Sequence, residues 1–201
     1  MTARLSPKPD AKTELLEAAK RVLLQHGYAG LSTRAVATEA GTQMSQIRYH
    51  FGSKEGMVLA LFEYMNAVLI GRQAEAFGRR DLSVARKWAL ACDYLDDDLA
   101  SGYVRVLQEL IAVGWSNPAV GQAVRAALSQ WQRVIRRLVN EIDTHPGALG
   151  PFTAQEFTAL IAAAFVGTES QILLGIAEED LPLRAALRRV GNVITAAEKG
   201  N

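Results

Sequence analysis

A single cysteine in 201 residues leaves Cys92 without a partner for an intramolecular disulfide and without the neighbours a cysteine-based metal site needs. Long apolar runs are missing as well. No stretch of ~18 apolar residues occurs, so there is no candidate membrane span, and Met1–Asp10 lacks the apolar core of a secretory signal. Neither sign of charge is in excess: 22 Lys and Arg face 21 Asp and Glu, which argues against the highly charged, disordered class. Histidine is scarce, with only His26, His50 and His145. There is no Gly-x-Ser-x-Gly elbow, no phosphate-cradling glycine loop and no His-Glu-x-x-His pair. No catalytic constellation can be assembled, so the chain reads as non-enzymatic, with no metal and no cofactor expected. What remains is 49% hydrophobic, ample for a buried core in one or two small units with a cytoplasmic location.

The small net charge hides an asymmetry. Residues Met1–Gly56 carry eight Lys and Arg against five Asp and Glu, a net +3, and the remainder carries 14 against 16, a net −2. A positive amino-terminal head on a mildly negative trunk suggests a head that meets a polyanion.

Hydrophobic spacing is helical almost throughout. Leu15, Leu16, Ala19, Val22 and Leu23 mark a first helix that should stop at Gly27, with Tyr28–Leu31 as connector. Ser32 or Thr33 caps a second segment, Arg34–Ala40, which ends at Gly41. A third short helix runs from about Met44 to Phe51. Gly52 breaks it, and Ser53 caps a longer fourth helix through Leu59, Phe62, Met65 and Leu69. Further on, Gly78, Asn117-Pro118, Pro146-Gly147, Gly150-Pro151 and Pro182 divide the chain into helix-sized pieces at roughly 82–98, 99–115, 119–143, 153–176 and 183–198. No segment alternates as a strand would. The expected fold is all-α with about nine helices, in which residues 9–69 form a head of the helix-turn-helix type (motif about 32–51) and residues 70–201 a helical trunk.

Two short helices joined by a glycine-containing turn are the signature of a helix-turn-helix, whose second helix lies in the DNA major groove. Val36 and Ala37 supply an inward face, and Ile47 with Phe51 anchors the second helix one turn apart. The opposite face presents Gln43, Ser45, Gln46, Tyr49 and His50, which can reach base edges or phosphate oxygens, and none is acidic. Lys54 follows at the start of a helix, where its ammonium and the helix amides can meet one phosphate.

The runs Leu15-Leu16-Glu17-Ala18-Ala19, His26-Gly27-Tyr28, Ser32-Thr33-Arg34-Ala35-Val36-Ala37 and Ala40-Gly41-x6-Arg48-Tyr49-His50-Phe51-Gly52-Ser53-Lys54-Glu55-Gly56 together resemble the amino-terminal domain of tetracycline-repressor-type (TetR family) regulators, over about residues 9–69. The resemblance implies that Thr33, which opens the first motif helix beside Arg34, contacts the phosphate backbone. It implies that Gln43–Gln46 lead the recognition helix into the groove, that Tyr49 and His50 lie near phosphates, and that Lys54 binds one. Phe51 and Tyr28 match inward-packing aromatics. Four positions depart from the usual pattern: Thr42 replaces a hydrophobic residue, Gln43 a serine, Arg48 a tyrosine, and Met44 takes a commonly polar site. Arg48 either keeps a phosphate contact with a full charge or reads guanine bidentately. Met44 either touches a thymine methyl or stands semi-exposed. These departures leave the operator sequence open.

By the same resemblance the trunk binds a small-molecule effector and forms a homodimer. Trp88, Cys92, Tyr103, Trp115, Trp131 and Phe165 are the candidate ligand contacts, although aromatics at helical spacing also build ordinary cores. Ala163, Gly167 and Ser170 share one helical face that permits close approach, and Leu187, Val190 and Ile194 form an apolar stripe on the last helix, giving a candidate interface. Asp93, Asp96, Asp97 and Asp98 read as a solvated helix end or as a cation site, and His145 as an exposed loop residue. The function implied is a ligand-responsive DNA-binding regulator, a repressor of a near-palindromic operator, with no membrane partner. The alternatives are an activator of the same fold or a helical small-molecule-binding protein that has no specific operator.

Overall fold

The computed structural model describes residues 10–142 and 147–198, so His145 lies outside the described residues. Within them the structure is all-α, with nine helices and no strand. The chain divides into two compact units, Met1–Met65 and Asn66–Asn201.

The first unit is built from α1 (Ala11–Gly30), α2 (Thr33–Glu39), α3 (Met44–Phe51) and the first part of α4 (Lys54–Gly78). Asp10 starts α1 by accepting the Thr13 amide at 2.7 Å, and this bond holds its carboxyl below the usual range. The first helix does not end where its glycine suggested. Gly27 takes φ +66° and interrupts the helical dihedrals, but a further turn follows to Gly30, so Tyr28 belongs to a kinked helix and not to a connector. Ser32, not Thr33, caps α2, accepting the Ala35 amide at 3.1 Å. The core of this unit joins Leu16, Ala19 and Leu23 of α1 to Val36, Ile47, Leu61 and Phe62, all buried.

The second unit contains the remainder of α4 with α5 (Val84–Ala100), α6 (Tyr103–Gly114), α7 (Pro118–Ile142), α8 (Ala154–Leu173) and α9 (Leu183–Glu198). Its core is centred on Trp88, Leu95, Ile135, Leu138, Val139 and Phe165. The break between α5 and α6 falls at Ser101-Gly102 and not near residue 98, because Gly102 supplies the positive φ (+80°). Asp98 is therefore inside α5 and buried.

The aspartates of α5 are each paired with an arginine of another helix. Asp93 pairs with Arg188 at 2.8 Å and Asp96 with Arg184 at 2.7 Å, which stitches α5 to α9, while Asp97 and Asp98 both receive Arg72 of α4. The indole N–H of Trp88 donates to the Leu187 carbonyl at 2.7 Å across the same α5–α9 packing.

Candidate nucleic-acid interface and trunk cavity

The helix-turn-helix is made by short-range chemistry. The Ala40 amide donates to the Val36 carbonyl and the Thr42 amide to the Ala37 carbonyl, which turns the chain after α2. Gly41 takes φ +62° there, a conformation a Cβ would strain. Gln43 stands at the cap of α3 without a side-chain capping bond, its amide oxygen lying 3.4 Å from the Ser45 hydroxyl. After Gly52, the Ser53 hydroxyl accepts the Gly56 amide at 3.0 Å and opens α4. A Cβ on Gly56 would stand 2.1 Å from the Phe51 carbonyl oxygen, so this close crossing of α3 and α4 requires glycine.

On α3 only Ile47 is buried; its full burial stabilises the packing of α3 by about 1.5–3 kcal/mol. Gln43, Met44, Ser45, Gln46, Arg48 and Tyr49 are exposed, Tyr49 at 82%, and His50 and Phe51 are half-buried. Met44 stands 54% exposed, so it serves no core role. The Tyr49 and His50 rings meet edge-on at 5.0 Å. Arg34 and Lys54 are exposed, and Thr33 and Thr42 half-buried. The Lys54 ammonium lies 5.5 Å from the centre of the Tyr28 ring, a contact sequence reasoning did not foresee. No acidic residue occurs from Ala40 to Lys54, and the preceding Glu39 is tied to Arg21 at 2.6 Å. The exposed surface of α3 is therefore polar and cationic, as an anion-facing surface must be.

The second unit contains a small cavity of about 30 Å³ with an open mouth. Of the six aromatic and sulfur residues singled out from the sequence, Tyr103, Trp131 and Phe165 line it. Trp88 and Cys92 do not; they are buried in the packing core, and burial pushes the Cys92 thiol up to about 11. Trp115 is a correction of a different kind: it caps the end of α6 and is 84% exposed, so it belongs neither to the cavity nor to the core.

The cavity also holds two acids that the aromatic pattern did not single out as ligand contacts. Asp98 receives an Arg72 nitrogen at 2.6 Å, yet desolvation prevails and raises its carboxyl to about 6. Glu169 is pushed up to about 8, chiefly by desolvation and then by the charge of Asp98, against an opposing hydrogen bond from Gln108. One signal for Glu169 existed in the sequence, since it is the sole charged residue between Phe157 and Leu174.

The candidate interface residues divide as well. Leu187 and Ile194 are buried against the protomer's own core and Val190 packs on it, because the α5–α9 packing consumes that stripe. Ala163 is exposed and Gly167 half-buried, while the Ser170 hydroxyl donates to Gln108 at 2.7 Å within the unit.

Residues 15–61 match the family model described as bacterial regulatory proteins, tetR family. This amino-terminal stretch is therefore a domain of the tetR-family type. Over 62 residues it is 37% identical to the HTH-type transcriptional repressor AcnR of Corynebacterium glutamicum. That match covers 30% of this chain and spans only 33% of the relative's length. The fold as a whole is similar to a transcriptional regulator from Rhodococcus sp. Rha1, with a TM-score of 0.70 at 20% identity over 95% of this chain and 97% of that one. It is also similar to a regulator from Saccharomonospora viridis solved in complex with choline, with a TM-score of 0.71 at 19% identity over 90% and 93%. Among the described residues, no helix is long and apolar enough to cross a membrane.

Proposed function

We propose that this TetR-family chain is a ligand-responsive transcriptional regulator that binds double-stranded DNA as a homodimer, a repressor released from a near-palindromic operator by a small molecule. One observation carries the DNA-binding reading: α3 fully buries Ile47 alone and exposes Met44–Gln46, Arg48 and Tyr49 on a surface free of acids. Gln43–Gln46 then enter the major groove, and Thr33, Arg34, Thr42, Tyr49, His50 and Lys54 hold the phosphates on either side. Arg48 adds a full charge to the phosphate contacts. Two recognition helices related by a two-fold axis meet half-sites about one helical turn (~34 Å) or a multiple apart. The AcnR relative is a repressor, which supports that sign of regulation.

The cavity among Tyr103, Trp131 and Phe165 supports an effector site, and the choline-bound Saccharomonospora viridis regulator is an instance of this fold holding a small molecule. An effector that binds better to one trunk conformation shifts the population away from the DNA-competent pair of heads. Helix α4 contributes to both units and is the element through which that shift passes. The exposed side of α8, with Leu160 and Ala163, and Val193 on α9 provide the dimer surface in place of the buried Leu187 and Ile194.

The test is a mobility-shift titration with the DNA upstream of the gene, repeated at ~50 and ~200 mM salt. A specific complex that weakens steeply with salt is expected. If the protein forms no specific complex, it is a helical small-molecule-binding protein without an operator, and the reading fails.

A further inference from the structure

The acids of the trunk cavity bear on the chemistry of what it accepts. Its lining is mostly apolar and aromatic, and its only ionisable groups with a carboxyl are Asp98 and Glu169; no Lys, Arg or His lines it. Asp98 is already engaged by Arg72, whose guanidinium also lies 4.1 Å from the centre of the Tyr94 ring. Glu169 differs. Its Oε2 is fully enclosed and has no hydrogen-bond partner, although Gln108 serves the same side chain. An enclosed acceptor left without a donor is costly, and native proteins keep such atoms where something else supplies the donor.

Three ligand classes meet this lining differently. An anion would be pressed against two carboxyl groups inside an apolar wall, with no cation in the lining to receive it. A neutral, apolar ligand would fill the space but leave Oε2 of Glu169 unsatisfied. A cation that carries an N–H supplies that oxygen with a donor and also gains from aromatic surface, which here comes from Tyr103, Trp131 and Phe165; the last two rings meet edge-on at 5.7 Å.

We propose that the cavity takes a small organic ammonium cation, whose N–H donates to the unpartnered carboxylate oxygen of Glu169 among the rings of Trp131, Tyr103 and Phe165. This rests on reading the cavity as the effector site. Binding is then coupled to proton loss. Desolvation places Glu169 at about 8, so below that pH a cation must first displace the proton. The groups that set this balance are Asp98 on α5, Arg72 on α4, and Gln108 and Tyr103 on α6.

The experiment is calorimetric titration of the full chain with three benzyl probes of similar size: benzylammonium, its neutral carbon analogue ethylbenzene, and the anion phenylacetate. The cation should bind at least about tenfold more tightly than either counterpart, and Glu169→Gln should remove about tenfold or more of that affinity while leaving ethylbenzene unchanged. Below pH about 8 the cation's affinity should fall by about tenfold per pH unit, and this slope should vanish in Glu169→Gln. The ranking and the slope are read on the unaltered protein, so neither depends on how the variant folds. Equal or tighter binding of the neutral or anionic probe overturns the cation class and leaves the effector site standing. A cation bound equally by Glu169→Gln, or no binding of any probe at millimolar concentration, overturns the proposal. A cation that binds as expected but leaves the protein–DNA complex intact sustains the ligand class and sinks the effector role instead.

Discussion

Lys54 and Gln46 are both exposed on the acid-free surface of the head, yet they should fail in different ways when removed. A lysine meets DNA as a point charge on phosphate, whereas a glutamine near the start of a groove-entering helix presents a donor and an acceptor to base edges. Lys54→Ala should weaken all DNA sequences about equally and lower the slope of log affinity against log salt by about 1. Gln46→Ala should change the preferred sequence with little change in that slope. Binding measured at several salt concentrations on specific and scrambled duplexes separates the two, and a Lys54→Ala effect on specificity alone would reverse the assignment. At this scale the head was legible because its chemistry is local: caps, turn glycine and anchors lie within a few residues of one another. The cavity was less so. Tyr103, Trp131 and Phe165 were visible as aromatics, but Trp88, of the same type and spacing, is consumed by a bond to Leu187, 99 residues away.

Between helices, two contacts make predictions. Gly56→Ala places a methyl against the Phe51 carbonyl oxygen, an atom of the backbone that cannot swing aside. The junction of α3 with α4 should shift, and DNA affinity and head stability should fall together, as read by binding and by denaturant melts; an unaltered melt would show that the crossing relaxes freely. In the trunk, Lys87 is 3% exposed and its ammonium contacts both oxygens of Glu141, at 2.6 and 2.9 Å, joining α5 to α7. Glu141→Gln leaves a buried ammonium without its counter-charge and should cost roughly 2–3 kcal/mol in urea unfolding, while Lys87→Met should recover part of that loss. Helix boundaries came from the sequence wherever proline or a capping side chain stood at them. They failed at Gly27, where the chain kinks and resumes, and at Gly102, which stands outside the proline-marked breaks, because glycine permits a break without commanding one.

For the molecule as a whole, the buried acids should tie stability to pH. Desolvation raises Glu169 from its ordinary 4.5 to about 8, so the native state holds that proton more tightly than the unfolded chain does. The stability this supplies is fully present below about pH 4.5 and is lost as pH rises to about 8. Asp98 adds a similar loss that is complete near 6. Urea midpoints of the ligand-free protein should therefore fall between pH 5 and 8, and Glu169→Gln should flatten the upper part of that fall. Assembly makes a separate prediction. Ala163 is exposed on α8, so Ala163→Glu should convert the proposed dimer to a monomer in light scattering without loss of helical circular dichroism; a dimer that persists would move the interface elsewhere.

The all-helical class, the positions of most helices and the exposed polar surface of α3 were determined by the amino-acid sequence alone. They follow from apolar spacing, capping residues and the absence of acids over a short span, which are properties of neighbours along the chain. Only the tertiary structure decided that the stripe of Leu187 and Ile194 faces inward, that the α5 aspartates are spent on arginines of α4 and α9, and that Glu169 stands in a cavity with an unpaired oxygen. Each of those outcomes depends on which distant helix arrives beside the residue. Residue type and local spacing describe what a side chain can do, whereas its desolvation and its partners exist only after the helices have packed.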